Sequence, residues 1–212
     1  MKKYYLILLS ILVLNVFGQN TKQDISKANE IIWYGLNFSK AKMVGQFDQA
    51  VGAGVASASE LRDEWVPAWN TLIVTEPQNF KIKEALKKNN IFYDIRATTK
   101  MNRDIKPDDF IGLNAYTFDN ASKIVQEIVS QLSEGDKAEG IGMIFIVESF
   151  NKSNDEASVY ATLFDIKTKT ILATDRIVGK PKGIGLRNFW AGAIKHIIKQ
   201  INDTYYSTWN HK

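Results

Sequence analysis

Between Ile141 and Val178 the chain carries three strand-forming runs separated by turns too short for anything but antiparallel pairing, and no other stretch limits its fold as strongly. Ile141 to Phe150 is a nearly continuous apolar run, which reads as a buried strand. The turn-rich Asn151-Lys152-Ser153-Asn154-Asp155 follows. Ser158, Tyr160, Thr162 and Phe164 then alternate with Val159, Ala161, Leu163 and Asp165, and Lys167-Thr168-Lys169 leads into a third run, Ile171 to Val178. Gly179, Pro181, Gly183 and Gly185 stop that strand. Beyond them Trp190, Ile194, Ile197, Ile198, Ile201 and Tyr205 recur at helical spacing, predicting one long helix from about Leu186 to Tyr206.

The preceding half is less regular. Ile31 to Phe38 is β-branched and aromatic and reads as a first strand, and Ile91 to Arg96 as a second. Between them, Leu61, Trp65, Ala68, Trp69 and Leu72 lie on one helical face, which Pro67 threatens to split into two helices. Phe80 to Lys88 is a lysine-rich helical piece ending at Asn89-Asn90. The glycine-rich 51–59 stretch and the Pro107-Asp108-Asp109 region read as loops, while Asp119 or Asn120 caps a helix carrying Ile124, Val125, Ile128, Val129 and Leu132 until Gly135. The order predicts an α+β fold. Its helices pack on a mixed five-stranded sheet with a carboxyl-terminal three-stranded antiparallel meander and a long final helix.

Lys2 and Lys3 precede an apolar run from Tyr4 to Phe17, with small residues at Val16 and Gly18, the layout of a secretory signal peptide cleaved after Gly18. A membrane span needs about 20 apolar residues, more than this run supplies. The expected organisation is a signal peptide over 1–18, a flexible leader over 19–29 and a single α+β domain over 30–212. No membrane span should survive cleavage, and the product is expected in the periplasm or outside the cell. Cleavage removes two lysines and no acid from a formal charge of +4, so little basic excess is left to attract nucleic acid. With no cysteine, the chain has no disulfide, thiolate nucleophile or lipid-attachment residue. At 212 residues and 45% hydrophobic content it can bury a core without them.

The stretch Leu163-Phe164-Asp165-Ile166-Lys167-Thr168-Lys169-Thr170-Ile171-Leu172, ending at Gly179, resembles the hairpin of a topology found in bacterial envelope proteins. Those families are the amino-terminal domain of the Tol-system translocation protein, the periplasmic domain of the curli secretion channel, and the lipoprotein activators of penicillin-binding proteins. The resemblance covers about half of the mature chain and implies an envelope location and a helix-strand-hairpin core. Trp33-Tyr34-Gly35-Leu36-Asn37-Phe38-Ser39 also looks like small exported bacterial proteins. The chain lacks the lipidated cysteine and the pore-forming insertion, so neither anchoring nor pore formation is implied.

Chemistry-bearing motifs are sparse. His196 and His211 are the only histidines, without acids at ligand spacing, so no metal site is expected. Ser57 stands outside any Gly-x-Ser-x-Gly elbow, and the pairs Asp108-Asp109 and Asp155-Glu156 read as solvated loop acids. No catalytic residue and no cofactor is assigned. The segment Lys180-Pro181-Lys182-Gly183-Ile184-Gly185-Leu186-Arg187 precedes a helix start, where backbone N–H groups hold anions. Lys180, Lys182 and Arg187 are therefore candidate anion or partner contacts. Of the five tryptophans, Trp33, Trp65, Trp69 and Trp190 fit core roles, while Trp209 is expected to be exposed and to meet a partner. Together these features predict a non-catalytic envelope accessory that binds another protein through its sheet edge, glycine-rich loops or aromatic carboxyl-terminal segment. The alternative is a small-ligand binder or hydrolase with a cleft between the 51–59 loop and the 180–187 turn.

Overall fold

The computed structural model describes residues 22–47, 56–133 and 135–210. The predicted signal peptide, the first residues of the leader and glycine-rich residues 51–55 lie outside them. The described chain runs α1 (Lys22–Lys27), β1 (Glu30–Asn37), β2 (Lys42–Val44), α2 (Ala58–Glu60), a π-helical turn (Leu61–Trp65), α3 (Val66–Thr75), α4 (Pro77–Phe80), α5 (Ile82–Ala85), β3 (Asn90–Tyr93) and α6 (Arg96–Arg103). After β4 (Ile111–Gly112) come α7 (Ala121–Gln131), β5 (Ile141–Asn151), β6 (Glu156–Asp165), β7 (Ile171–Gly179), α8 (Gly185–Gln200), a second π-helical turn (Ile201–Tyr205) and α9 (Tyr206–Asn210).

The expected α+β fold with a mixed five-stranded sheet is corrected to an α/β fold. Among the described residues seven strands form one sheet, in which β1 pairs in parallel with β3 and β5, and β2 in parallel with β4 and β5. Among the described strands the antiparallel pairings are those of the β5–β6–β7 hairpins, in which β6 alone runs against the others. The cause is the connections: helices lie between β1 and β3 and between β4 and β5, and a crossover through helices returns the chain in the same direction. Because β6 occupies one edge of β5 along its whole length, β1 and β2 share the other edge end to end.

Both faces of the sheet are covered, so β5 is buried throughout rather than alternating. Trp33, Met143, Phe145 and Phe150 face α3 and α8. Ile32, Tyr34, Ile144 and Ile146 face α7, whose Val125, Ile128 and Val129 form its apolar stripe. On the first face Trp190 stacks on Phe150 at 4.6 Å between centroids and on Phe47 at 5.9 Å. Such offset aromatic contacts add about 1 kcal/mol each to the burial. The packed chain starts before Glu30, since Ile25 of α1 is fully buried. Pro67 does not split its helix. The π-helical turn before it lets Val66 N–H reach Leu61 O, so the proline's missing donor falls at the start of α3.

Beyond the end of β3, the outer edge of β1 is finished by side chains. Leu36 N–H donates to Asn70 Oδ1 (2.7 Å), and Asn70 Nδ2 returns a bond to Leu36 O (3.0 Å). Asn102 of α6 accepts from Phe38 N–H (2.7 Å) and also donates to Leu36 O (2.9 Å). Gly35, at φ +93°, permits this: a Cβ there would meet Asn70 Oδ1 at 2.5 Å.

Candidate functional site

The carboxyl ends of three neighbouring parallel strands open onto one depression. Gly45 and Gln46 follow β2, Leu113 follows β4, and Lys152, Ser153 and Asp155 form the turn after β5. Gly183, Ile184, Gly185 and Phe189, at the start of α8, complete its lining, and its volume is about 870 Å³. Open parallel sheets offer ligand crevices at this end of their strands.

Local chemistry holds the walls. Asn151 Oδ1 accepts the N–H groups of Ser153 (3.0 Å) and Asn154 (3.1 Å), and Asp155 takes the left-handed conformation that closes the turn. Gly45 N–H donates to Gly112 O and Lys152 N–H to Val44 O, each at 2.8 Å, tying the three strand ends together. Lys152 Nζ donates to Gln46 O (2.8 Å). Across the depression, Gly183 and Gly185 both have positive φ, and Lys182 N–H donates to Phe189 O at 3.2 Å, folding the turn back onto α8. This geometry projects Ile184 outward. Ile184 is 92% exposed and Leu113 74%, the two exposed large hydrophobic residues among the described residues. Both line this depression.

The candidate contact residues fall in different places. Lys180 pairs with Glu156 (2.8 Å), and its N–H donates to His196 Nδ1 (2.9 Å). Lys182 is exposed beside the depression. Arg187 leans away to Glu76 (3.7 Å), while its carbonyl accepts from Trp69 Nε1 (3.1 Å). Trp209 is not exposed. It is 3% accessible, with Nε1 donating to Asp175 Oδ2 at 2.6 Å, and lies roughly 30 Å along the helical run from Arg187. The sheet supplies a partner for the indole N–H that a terminal position in the sequence does not reveal. Ser57 is a helix cap, accepting from Glu60 N–H and donating its own N–H to the Glu60 carboxylate. Asp109 pairs with Lys42, which holds its carboxyl below the usual carboxylate range. Among the described residues no group of three or more His, Asp or Glu could hold a metal, and no helix is long and apolar enough to cross a membrane. His211 lies outside the described residues.

Two buried polar clusters went unread in the sequence. Glu148 is fully buried at a bulge in β5, where it accepts from Phe118 N–H (2.9 Å) and pairs with Arg176 of β7 (2.7 Å). Arg176 Nη2 also donates to Ser158 Oγ (2.9 Å). The signal was a lone acid inside the apolar run Ile141 to Phe150. At the end of β3, Asp94 accepts from Arg96 Nε (2.8 Å) and Nη2 (2.6 Å) and from Asp136 N–H (3.1 Å). The Arg96 hydrogen bonds hold its carboxyl below the usual range against the opposing effect of burial. Burial, with Asp94 adding to it, pushes the Tyr34 hydroxyl up to about 12. Both clusters join separate segments of the chain. No protein family, curated protein or solved structure matches the chain.

Proposed function

We propose that the protein is an exported, non-catalytic cell-envelope accessory that binds a partner protein at the depression between Leu113 and Ile184. One observation carries the reading. Two large apolar side chains from distant parts of the chain stand exposed on the same concavity, and apolar side chains gathered on one patch, unlike singly scattered ones, favour an interaction site. The surroundings suit a polypeptide: Lys152, Ser153, Asp155 and Gln46 offer mixed polar contacts around the apolar pair. Lys182 extends the rim as a candidate contact. The envelope setting rests on the signal-like amino terminus and the hairpin resemblance.

The test is a cross-linking pull-down of the tagged protein from its own cell envelope, alongside a Leu113→Asp, Ile184→Asp variant. Loss of one defined partner in the variant, with unchanged thermal stability, supports the reading. Equal capture by both proteins overturns it. A second reading, a small-ligand binder, is favoured by the depression's place outside the carboxyl ends of β2, β4 and β5. Under it, a compound screen finds thermal stabilisation that the double variant loses.

A further inference from the structure

We propose that the outer edge of β7 is a strand-addition site that accepts an extended, uncharged segment of a partner polypeptide as an eighth strand. β7 is nine residues long and, among the described strands, pairs with β6 alone. Gln200 Nε2 donates to Val178 O at 2.8 Å, so the main-chain groups of Val178 point away from β6. With the two-residue period of a strand, those of Arg176 and Thr174 point the same way. Among the described residues nothing is bonded to these outward N–H and C=O groups. A row of donors and acceptors at strand spacing is matched in full by another extended backbone.

Natural sheets guard such an edge with charge, proline, bulges or a covering element. Here both charged residues of β7 are turned off the edge. The Arg176 guanidinium reaches inward across the sheet to Glu148 and Ser158, and Asp175 is taken by Trp209 Nε1. Gln200 covers one carbonyl at the far end and leaves the middle open. Beside the strand runs a groove of about 370 Å³, lined by Ala173, Thr174 and Asp175 of β7 and by Thr204, Tyr205, Thr208 and Trp209. Alternate side chains of an added strand would enter it. Its one acid is already engaged by the indole and it holds no base, so uncharged, small or β-branched side chains fit best. The site is separate from the depression between Leu113 and Ile184 and stands or falls without it.

The experiment uses a displayed library of nine-residue peptides selected on the purified protein, with the strongest binder synthesised as the probe and main-chain amide exchange as the readout. The expected result is slowing of exchange at the Thr174 and Arg176 amides by about tenfold or more, with the α8 amides unchanged. Thr174→Pro deletes one outward donor at an edge position that tolerates proline, and it should weaken the probe about tenfold. Ile184→Asp should leave binding unchanged. Failure to select any binder, protection elsewhere, or full binding to Thr174→Pro overturns the proposal. Protection of the same amides that rises with protein concentration and needs no peptide overturns the assigned occupant in favour of a second copy of the chain. If the proline variant does not fold, the exchange pattern of the unmodified protein decides alone.

Discussion

The two lateral edges of the sheet are finished in opposite ways. On the β1 side, where β3 stops short, Asn70 and Asn102 reach in from α3 and α6 and satisfy Leu36 and Phe38 as a neighbouring strand would. On the β7 side, among the described residues, Gln200 alone plays that part, and Thr174 and Arg176 keep their outward groups. An edge is closed when a helix packed beside it presents a short amide at the right height. An edge left open depends on its water, or on a partner, for the same bonds.

The largest effect is expected where closure is deepest. Asn70→Ala leaves the buried Leu36 N–H without its acceptor and should cost about 3 kcal/mol in urea denaturation. Asp94→Asn, at the end of β3 on the same edge, should cost about 2 kcal/mol at neutral pH by weakening the bonds from Arg96 and Asp136. Its acid behaviour sharpens the point. The folded carboxyl lies below its unfolded value of about 3.9, so its stabilisation is complete above that value and is lost as pH falls through the depressed folded value. Melting temperatures from neutral pH to below pH 4 should therefore fall less steeply in Asp94→Asn than in the unmodified protein.

On the open edge the effects shrink. Thr174→Pro removes a solvated donor and the contact with the Thr162 hydroxyl (2.9 Å), for an expected loss of about 1 kcal/mol by the same denaturation. Gln200→Ala should cost about 0.5 kcal/mol and speed exchange at the Val178 end of the strand. Smallest of all, Ile184→Asp should leave the melting temperature unchanged, because a side chain 92% exposed contributes little to folding. A marked loss of stability there would mean that Ile184 packs in solution.

Legibility in the sequence followed length and locality. β5, β6, β7, α7 and α8 announce themselves through long periodic runs. β2 and β4 have three and two residues, too few to show any period, and without them the parallel half of the sheet goes uncounted. α6 reads Arg-Ala-Thr-Thr-Lys-Met-Asn-Arg, and its buried positions include Thr98 and Asn102, so no apolar stripe marks it. At the candidate site, Gly183-Ile184-Gly185 is visible as a turn. Its opposite wall, Leu113, comes together with it only through strand order. Trp209 misled for the same reason, since its partner Asp175 lies 34 positions away.

β5 serves as the common seat for β1, β2 and β6, and it begins only at Ile141. During synthesis, therefore, two thirds of the chain emerges before the strand that β1 and β2 must dock against exists. The hairpins from β5 to β7 close over short turns, whereas the β1–β5 pairing spans more than a hundred residues. Loop-closure entropy favours the local pairs forming first. The β5–β7 hairpins are thus favoured to form ahead of the β1–β5 and β2–β5 pairings, and until β5 emerges β1 and β2 have only β3 and β4 as strand partners.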